Sequence, residues 1–343
     1  MNRPAAILRA IEFHLPEKVE TGADLASAFP EWPVAKIEEK TGIARRHIAG
    51  PGECASDLAA EAARKLFASH ACTAAEIDFI LLCTQTPDYL LPTTACVLQD
   101  RLGIPTSAGA LDFNLGSSGF VYGLSLAQGL IETGAARNVL LLTADTYSKL
   151  LYPADKSVRT IFGDGAAAAL ISAGEESADE PRLGPFVFGT DGAGAPNLIV
   201  PAGGMREPRS EASATPVSDS SGNVRTRETL FMDGGEIFAF TLSKVPLLVK
   251  QLLAKSGKTA EQIDLFVLHQ PNRYMLESIR KQLRVPPERF YIYLADCGNT
   301  VSATIPIALK AAQQDGTLQS GHLVMLVGFG VGYSWAATLV RWP

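Results

Sequence analysis

The most informative segment of the sequence is ALDFNLGSSGFVYGLSLAQGLIET, residues 110–133. Residues 110–114 predict the end of a buried strand, and apolar residues recur at helical spacing over residues 120–131. Between them lies a tight turn, Gly116-Ser117-Ser118-Gly119. A small nucleophile on this turn would stand at a helix N-terminus, where unpaired backbone N–H groups favour negative charge and lower the pKa of a thiol or hydroxyl. The segment therefore predicts an acyl-transfer site, with Ser117 as the candidate nucleophile.

The composition is that of a large globular chain. Its 343 residues exceed what one core usually serves, which predicts two domains or two halves. A formal charge of −6 gives no electrostatic case for binding nucleic acid. No apolar run approaches the roughly 20 residues of a membrane helix, so we expect no membrane segment. The five cysteines are scattered without a CxxC pair, which favours a reducing cytoplasm and argues against a structural zinc site.

The chain contains an internal repeat. Four segments of the first part recur in the same order in the second: EIDFILLC (76–83) matches QIDLFVLH (262–269), DFNLGSSG (112–119) matches LADCGNTV (294–301), NVLLLTA (138–144) matches HLVMLVG (322–328), and GDGAAAAL (163–170) matches GYSWAATL (332–339). This order predicts a tandem duplication of an α/β unit. We expect an N-terminal half over residues 1–172, a connection with a polar excursion over 173–235, and a C-terminal half over 236–343. Within the excursion, residues 201–229 predict either an active-site wall or a flexible insertion.

The repeat also relates residues that are far apart in the chain. Ser117, His269, Asn299 and Gly332 each lie just past the end of a predicted strand, where α/β sheets place their chemistry. If the halves pack about a pseudo-twofold axis, these loops meet near the middle of the molecule. A lone histidine is more often a core residue than a catalyst, but the strand-end position favours catalysis for His269. Asn299 could cap a helix or, with the imidazole, donate hydrogen bonds to an enolate or oxyanion.

Together with the duplicated halves, three motifs resemble the β-ketoacyl-acyl-carrier-protein synthase III family of the thiolase superfamily: FNLGSSGFVYGLSLA, LHQPN and CGNTVSATIPIAL. The resemblance covers nearly the whole chain. It implies a five-layer αβαβα thiolase-like fold, a homodimer, no cofactor and no metal, and decarboxylative Claisen condensation by a Cys, His, Asn triad. The substrates would be acyl and malonyl thioesters of acyl carrier protein or coenzyme A, in a cytoplasmic enzyme of fatty acid or polyketide biosynthesis. By motif, the triad includes His269 and Asn299, and the backbone N–H groups of Ser117 and Gly332 form the oxyanion hole.

The resemblance further implies residues that meet the partner molecules. Lys40 and Lys156 match basic positions near the pantetheine entrance, and Asn272 and Arg273, directly after the LHQP motif, belong to the same carrier-binding set. A helix that starts with Arg273 also carries basic residues farther along, which predicts either a docking patch for an acidic carrier protein or a solvated face. Leu91 matches the residue that reaches across the dimer to close the partner's acyl pocket.

Two positions depart from the family pattern. The nucleophile, a cysteine in the family, is Ser117, and an aromatic residue that stacks on the coenzyme A adenine is Lys36, which favours a donor bound to a carrier protein. Three interpretations of Ser117 are open: an engineered, inactivating Cys→Ser change, a natural serine in a slow acyltransferase or malonyl decarboxylase, or a non-catalytic partner subunit of a ketosynthase heterodimer. The intact His269, Asn299 and glycine turn favour the first.

Overall fold

The computed structural model describes residues 4–174 and 182–343. Its strands are β1 (Ala5–His14), β2 (Val19–Thr21), β3 (Arg45–His47), β4 (Phe79–Cys83), β5 (Gly109–Phe113), β6 (Asn138–Asp145), β7 (Gly165–Gly174), β8 (Leu183–Thr190), β9 (Leu198–Ile199), β10 (Val217–Ser218), β11 (Val224–Arg225), β12 (Phe231–Met232), β13 (Leu265–Leu268), β14 (Phe290–Tyr291), β15 (Leu323–Gly330) and β16 (Ser334–Arg341). Its helices are α1 (Gly22–Ala28), α2 (Val34–Thr41), α3 (Ala55–Ala68), α4 (Thr94–Arg101), α5 (Gly119–Glu132), α6 (Lys156–Arg159), α7 (Glu211–Ala214), α8 (Gly234–Ser256), α9 (Arg273–Leu283) and α10 (Thr304–Gln314).

The two large sheets have the same construction. The first has the strand order β1-β7-β6-β4-β5, and the second has the order β8-β16-β15-β13-β14. In both, the three strands at one end run parallel, and the remaining two are antiparallel to their neighbours. Each strand of the first sheet therefore has a counterpart at the same place in the second. The internal repeat predicted from the sequence is confirmed as two pseudo-symmetric halves.

The helices arrange these sheets into five layers. Helices α5 and α10 contribute apolar side chains to a core that both sheets share, so they form the central layer. Helix α3 packs on the outer face of the first sheet, and α8 and α9 pack on the outer face of the second. Both faces of each sheet are covered, which explains why β4 and β13 are continuous apolar runs. The thiolase-like αβαβα fold predicted from the sequence is confirmed.

The segment that joins the halves contributes to the second sheet. Strand β8 lies within residues 173–235, which we predicted to be a connection, and forms the edge of that sheet beside β16. Residues 175–181 of this segment lie outside the described residues. Farther along, the polar excursion over residues 201–229 holds α7, β10 and β11. The second half of the fold thus draws on chain that precedes residue 236.

Helix α8 corrects one statement made from the sequence. It is long and apolar enough to cross a membrane, by length and composition only. One such helix is weak evidence for a membrane span, since core helices meet the same criterion. Here Val245, Leu248 and Leu252 are buried in the core beneath the second sheet. The burial of these residues accounts for the apolar character of the helix. The expectation that no stretch of the chain is long and apolar enough for a membrane helix was nevertheless wrong.

Candidate active site

A cavity of about 710 Å³ lies where the loops of the two halves meet. Ser117 enters it from the turn before α5, His269 from the end of β13, and Asn299 from the loop before α10. All three side chains are nearly buried. The structure therefore brings together three of the four residues that the repeat had related, although they lie far apart in the chain.

The turn that carries Ser117 is held tightly at the start of α5. Gly119 N–H donates to the Gly116 carbonyl at 2.8 Å, and the helix has no side-chain cap. The hydroxyl of the N-cap residue, Ser118, bonds instead to the Ser334 hydroxyl at 2.5 Å. The first N–H groups of α5 are thus left to favour negative charge beside Ser117.

The end of β15 passes close to this turn. A Cβ on Gly330 would lie 3.2 Å from the Ser117 Cβ and 3.3 Å from its Oγ. These distances are tighter than ordinary van der Waals contact. Glycine at position 330 therefore leaves the space beside Oγ in which a reacting carbonyl group can sit.

His269 is fixed from two sides. Its backbone N–H donates to the Val327 carbonyl at 2.8 Å, and its ring Nδ1 lies 2.8 Å from the Thr304 Oγ1. The Phe329 ring packs edge-on against it, with 5.3 Å between the ring centroids. Burial lowers the pKa of His269 to about 3, because no charged partner offsets the loss of hydration. The imidazole is therefore neutral at physiological pH.

Asn299 follows a glycine that the chain requires. Gly298 has a φ of +69°, and a Cβ there would lie 2.8 Å from the Ile161 carbonyl oxygen. The Asn299 N–H donates to that same carbonyl at 3.0 Å, and its own carbonyl accepts from Gly163 N–H at 3.0 Å. The side-chain Oδ1 accepts from Val301 N–H at 2.9 Å. The loop is thus clamped to the first half, and the amide orientation is set because the oxygen faces a donor.

The free polar atoms of these residues open into the cavity. Among the described residues, the buried side-chain nitrogens and oxygens without a partner are Arg46 Nε, Thr143 Oγ1, Asn223 Oδ1 and Thr300 Oγ1. The Ser117 Oγ, His269 Nε2 and Asn299 Nδ2 atoms are not in this group, although none has a hydrogen bond. They are therefore accessible from the cavity, which offers one hydroxyl, one imidazole nitrogen and one amide N–H donor to a bound molecule.

The second predicted oxyanion donor lies next to the cavity wall. Gly330 and Val331 line the cavity, whereas Gly332 is not among the described residues that do. Gly332 has a φ of +135° and leads directly into β16. Its role stays a prediction.

The predicted carrier-binding residues divide into two groups. Lys40, Lys156 and Asn272 line the cavity. The Lys40 Nζ lies 5.1 Å from the centroid of the Tyr274 ring, and the Lys156 Nζ donates to the Ser221 carbonyl at 2.5 Å. Arg273 is not among the described lining residues. Its side chain packs against Gly42, where a Cβ would lie 2.6 Å from the Arg273 Nε.

Other residues that the sequence grouped by charge or position are dispersed. Arg46, six positions after Lys40, is buried and donates to the Thr160 and Glu20 carbonyls at 3.1 and 3.2 Å. On α9, Arg280 is tied to Glu277 at 2.7 Å, which reduces the free charge of the predicted docking face. Leu91 is 82% exposed and outside the cavity of its own chain.

Two further residues of the cavity wall were not identified from the sequence. Val301 has a φ of +56°, a strained conformation for a β-branched residue, and it lines the cavity beside Asn299. Asn223, from the polar excursion, also lines the cavity. The excursion therefore contributes to the active-site wall, as one of the two alternatives proposed.

A buried carboxyl connects this loop to the first half. Asp145, at the end of β6, accepts from Ser302 N–H at 3.2 Å and from Gln85 N–H at 2.8 Å, and also bonds to the Ser302 hydroxyl. Burial raises its pKa to about 7, although these hydrogen bonds oppose the shift. The segment after Asn299 is thus anchored across the interface between the halves.

None of the five cysteines is among the described residues that line the cavity. All five are free in the structure. Burial raises the pKa of Cys297 to about 12, and burial, with the nearby Asp145, raises the pKa of Cys83 well above its usual value. Both thiols are therefore unreactive at neutral pH. Within residues 4–174 and 182–343, no group of three or more His, Cys, Asp or Glu side chains is placed to hold a metal ion.

Comparisons with known proteins agree with this architecture. Residues 111–192 match the family model of 3-oxoacyl-[acyl-carrier-protein] synthase III, and residues 253–342 match that of its C-terminal part. The chain is 37% identical to the β-ketoacyl-[acyl-carrier-protein] synthase III of Caldanaerobacter subterraneus subsp. tengcongensis, over 96% of this chain and 95% of that protein.

Solved structures also match this chain in both fold and sequence. A 3-oxoacyl-(acyl-carrier-protein) synthase III structure is 60% identical, with a TM-score of 0.97 over 99% of this chain and all of the other. The 3-oxoacyl-(acyl-carrier protein) synthase from Burkholderia xenovorans LB400 is 36% identical, with a TM-score of 0.90 over all of this chain and 95% of the other. On fold, sequence and coverage together, the chain belongs to the 3-oxoacyl-[acyl-carrier-protein] synthase III family.

Proposed function

We propose that this chain carries out the two half-reactions of a β-ketoacyl-acyl-carrier-protein synthase III. In the first, an acyl thioester transfers its acyl group to the Oγ of Ser117 and releases a thiol. In the second, a malonyl thioester loses carbon dioxide, and the resulting carbanion attacks the acyl group. The observation that carries the proposal is the convergence of Ser117, His269 and Asn299 on one cavity.

The geometry suits the second half-reaction. When the malonyl group loses carbon dioxide, negative charge develops on its thioester oxygen. The Asn299 Nδ2 is free and faces the cavity, and the His269 Nε2 lies on the same wall. Both are placed to donate hydrogen bonds to that oxygen. The backbone N–H groups of Ser117 and of the turn from Gly330 to Gly332 serve the acyl carbonyl in the same way.

The first half-reaction is the one that serine impairs. A thiol of ordinary pKa is already a few per cent thiolate at pH 7, and a helix N-terminus increases that fraction. A hydroxyl has no comparable ionised fraction and needs a base within reach. We therefore infer that Ser117 stands in the place of a nucleophilic cysteine and that acylation of this chain is slow. Binding and decarboxylation of malonyl thioester do not need the nucleophile and persist.

The substrates arrive on a pantetheine arm whose entrance is basic. Lys40, Lys156 and Asn272 on the cavity wall bind this arm, and Arg273 contacts the carrier outside it. The stacking aromatic of coenzyme A binding is replaced by Lys36, so the donor is a carrier-protein thioester in preference to coenzyme A. Because its cysteines are free, we place the chain in the cytoplasm.

The chain works as a homodimer joined along β5. This strand pairs only with β4 in its sheet, and Leu111 on it is 44% exposed. The exposed residues before α4 lie beside this edge, because the Thr94 N–H, at the start of α4, donates to Asp112 of β5 at 2.7 Å. Leu91 belongs to that exposed segment and would reach the acyl pocket of the partner.

The decisive experiment restores the sulfur. The Ser117→Cys variant and the chain with Ser117 are mixed with acyl thioesters, and the covalent adduct is followed by intact mass. We expect rapid acylation of the variant, condensation with malonyl thioester, and little adduct on Ser117. Absence of both adduct and condensation in the variant would overturn the proposal.

The same measurements separate the other interpretations. An acyl-serine adduct formed at a rate close to that of the cysteine variant indicates a natural serine acyltransferase. A chain that is stable only with a second ketosynthase subunit, and that releases no carbon dioxide from malonyl thioester, indicates a non-catalytic partner.

A further inference from the structure

The polar excursion reaches the cavity through one hairpin. Its strands β10 and β11 pair antiparallel, and the turn between them runs from Asp219 to Asn223. The Asp219 carboxylate accepts from the backbone N–H groups of Ser221 and Asn223 at 2.9 and 3.0 Å, and from the Asn223 Nδ2 at 3.0 Å. One side chain therefore holds the turn from within, and Asn223 of this turn lines the cavity.

The hairpin is docked on the segment that carries Lys156. The Lys156 Nζ donates to the Ser221 carbonyl at 2.5 Å. Asp155, directly before it, is fully buried and is bound by the Arg225 guanidinium, with 2.6 Å between Nε and Oδ2. The other oxygen of this carboxylate caps α6 by accepting the Ser157 N–H at 3.0 Å. The ammonium of Lys156 and the backbone before it are thus both held by the hairpin.

Arg225 joins these two supports. Its Nη2 donates to the Asp219 carboxylate at 2.8 Å, while its Nε donates to Asp155. The side chain is only 15% exposed, and its guanidinium lies 5.3 Å from the centroid of the Phe231 ring. Such a poorly hydrated pair interacts more strongly than an exposed one. The planar guanidinium can bind carboxylates of two separate segments through different nitrogens, which a lysine ammonium does with less geometric definition.

A lysine held in this way is prepared for a ligand. The Lys156 ammonium has three N–H donors, of which the Ser221 carbonyl takes one, and the residue lines the cavity. Lysine binds a phosphate as a point charge, so the contact depends on where the flexible stem places the ammonium. A stem that is ordered before the ligand arrives does not lose its rotamer freedom on binding. The hairpin therefore strengthens any contact that Lys156 makes with an anion.

We propose that Arg225 is a positioning residue that locks the hairpin of residues 217–225 on α6 and thereby fixes Lys156 for the phosphate of the pantetheine arm. The inference rests on the function proposed above and deepens it, because it states which part of the substrate the polar excursion helps to recognise. Arg225 acts on the binding of the arm and not on the reacting thioester, since its side-chain partners are Asp155 and Asp219.

The test compares two compounds that differ only in the phosphate. Pantetheine and 4′-phosphopantetheine are titrated into the protein by calorimetry, and the ratio of their Kd values measures what the phosphate adds. We expect the phosphate to tighten binding to the parent chain by about tenfold, since contacts between charged groups exceed neutral ones. Lys156→Gln should lower this ratio to about twofold, and Arg225→Gln to about threefold although Lys156 is unchanged.

Kinetics give a second, independent readout. In decarboxylation of malonyl phosphopantetheine, Arg225→Gln should raise KM by about threefold or more and leave kcat within about twofold, because the arm is bound equally in the ground state and the transition state. With malonyl N-acetylcysteamine, which keeps the thioester and lacks the phosphate, both constants should stay at the parent values. An equal loss with both thioesters would indicate a general disturbance of the site and overturn the proposal.

Arg227 is the matched control. It lies two positions farther along the same segment, its side chain is 59% exposed, and it pairs with Glu207 at 2.6 Å. Arg227→Gln should leave the ratio of Kd values unchanged. If Arg225→Gln does not fold because Asp155 is left as an unpaired buried charge, Arg225→Lys decides the question. It keeps a positive charge beside Asp155 and loses the rigid fork, so we expect a folded chain with a lowered ratio.

An unchanged ratio in a folded Arg225 variant would overturn the inference, and so would an unchanged ratio in Lys156→Gln. The proposed function is tested separately, because binding of these two compounds needs no nucleophile. If Ser117→Cys forms no adduct while the ratio falls as expected, the proposed function fails and the inference about Arg225 stands. Rapid acylation of Ser117→Cys together with unchanged ratios would leave the proposed function in place and reject the role of Arg225.

Discussion

Substitution of Asn299 by aspartate tests the role of this residue most directly. The amide has one engaged atom and one free atom: its Oδ1 accepts from Val301 N–H at 2.9 Å, and its Nδ2 opens into the cavity. An aspartate has the same shape and keeps an oxygen for the Val301 bond. It replaces the free N–H donor by a second oxygen. The variant therefore removes the donor and preserves the loop.

The expected loss follows from what that donor does. Removal of one preorganised donor to an oxyanion lowers a rate by about 10²- to 10³-fold, or about 2.7–4 kcal/mol of transition-state stabilisation. Because Asn299 is 5% exposed, a carboxylate there is poorly hydrated and repels the developing enolate, which places the loss at the upper end of that range. The assay is release of carbon dioxide from malonyl thioester by the chain with Ser117 unchanged.

Asn272→Asp is the matched control for charge in this cavity. Asn272 lines the same cavity, and its Oδ1 caps α9 by accepting Met275 N–H at 2.8 Å, a bond that aspartate keeps. We expect a change in KM for the arm and a kcat within a few-fold of the natural chain. A decarboxylation rate of Asn299→Asp within threefold of the natural chain, with the fold intact, would refute the assignment of Asn299 as a donor.

Four further predictions follow from the site and the sheet edge. A Cβ at Gly330 would lie 3.2 Å from the Ser117 Cβ, so an alanine there would crowd the nucleophile. Gly330→Ala in the Ser117→Cys background should abolish the acyl adduct seen by intact mass. Adduct formation at the rate of the Ser117→Cys parent would show that position 330 does not need glycine. Because burial lowers the pKa of His269 to about 3, decarboxylation should show no acid limb near pH 6.5. Below pH 6.5 His269 takes up a proton in the unfolded chain but not in the folded chain, so this residue lowers the free energy of unfolding as the pH falls. In denaturant titrations between pH 6.5 and 5, His269→Gln should therefore lose less stability than the parent chain. An equal loss would contradict the pKa shift. Leu111 lies on the open edge of β5, so Leu111→Lys should convert the proposed dimer to monomer in light scattering, and an unchanged mass would place the interface elsewhere.

The predictable parts of the fold are the strands and helices whose apolar residues follow a local pattern in the sequence. Strands β4 and β13 are continuous apolar runs, and α5 carries its apolar residues at helical spacing. Periodicity gives no information about which elements lie together in space. The repeat supplies it, because it relates segments that are far apart in the chain and implies that their loops occupy equivalent places. That is why Ser117, His269 and Asn299 could be grouped before the structure, although they lie in separate parts of the chain.

The parts that were missed depend on contacts with no local signal. Thr304 reads in sequence as an ordinary helix start, and only the folded chain brings it to His269, 35 positions away. Arginine side chains are usually exposed, yet the Arg46 guanidinium is buried and donates to backbone carbonyls. The glycine pattern directed attention to Gly332, whereas the residues of this turn that line the cavity are Gly330 and Val331.

The site is better matched to a thiol than to a hydroxyl for reasons that lie outside position 117. The uncapped start of α5 stabilises an anion that has already formed, which assists a group with a measurable ionised fraction and gives little to one without it. The imidazole of His269 is neutral at physiological pH and lies on the same cavity wall as Asn299, where the proposed function uses it as a donor to an enolate. The helix start removes no proton from serine. A natural serine enzyme on this scaffold would need a base facing Ser117, and His269 is the one titratable side chain on the cavity wall whose ordinary pKa would suit that task. The protonation state of one ring nitrogen therefore decides between an impaired cysteine enzyme and a working serine enzyme.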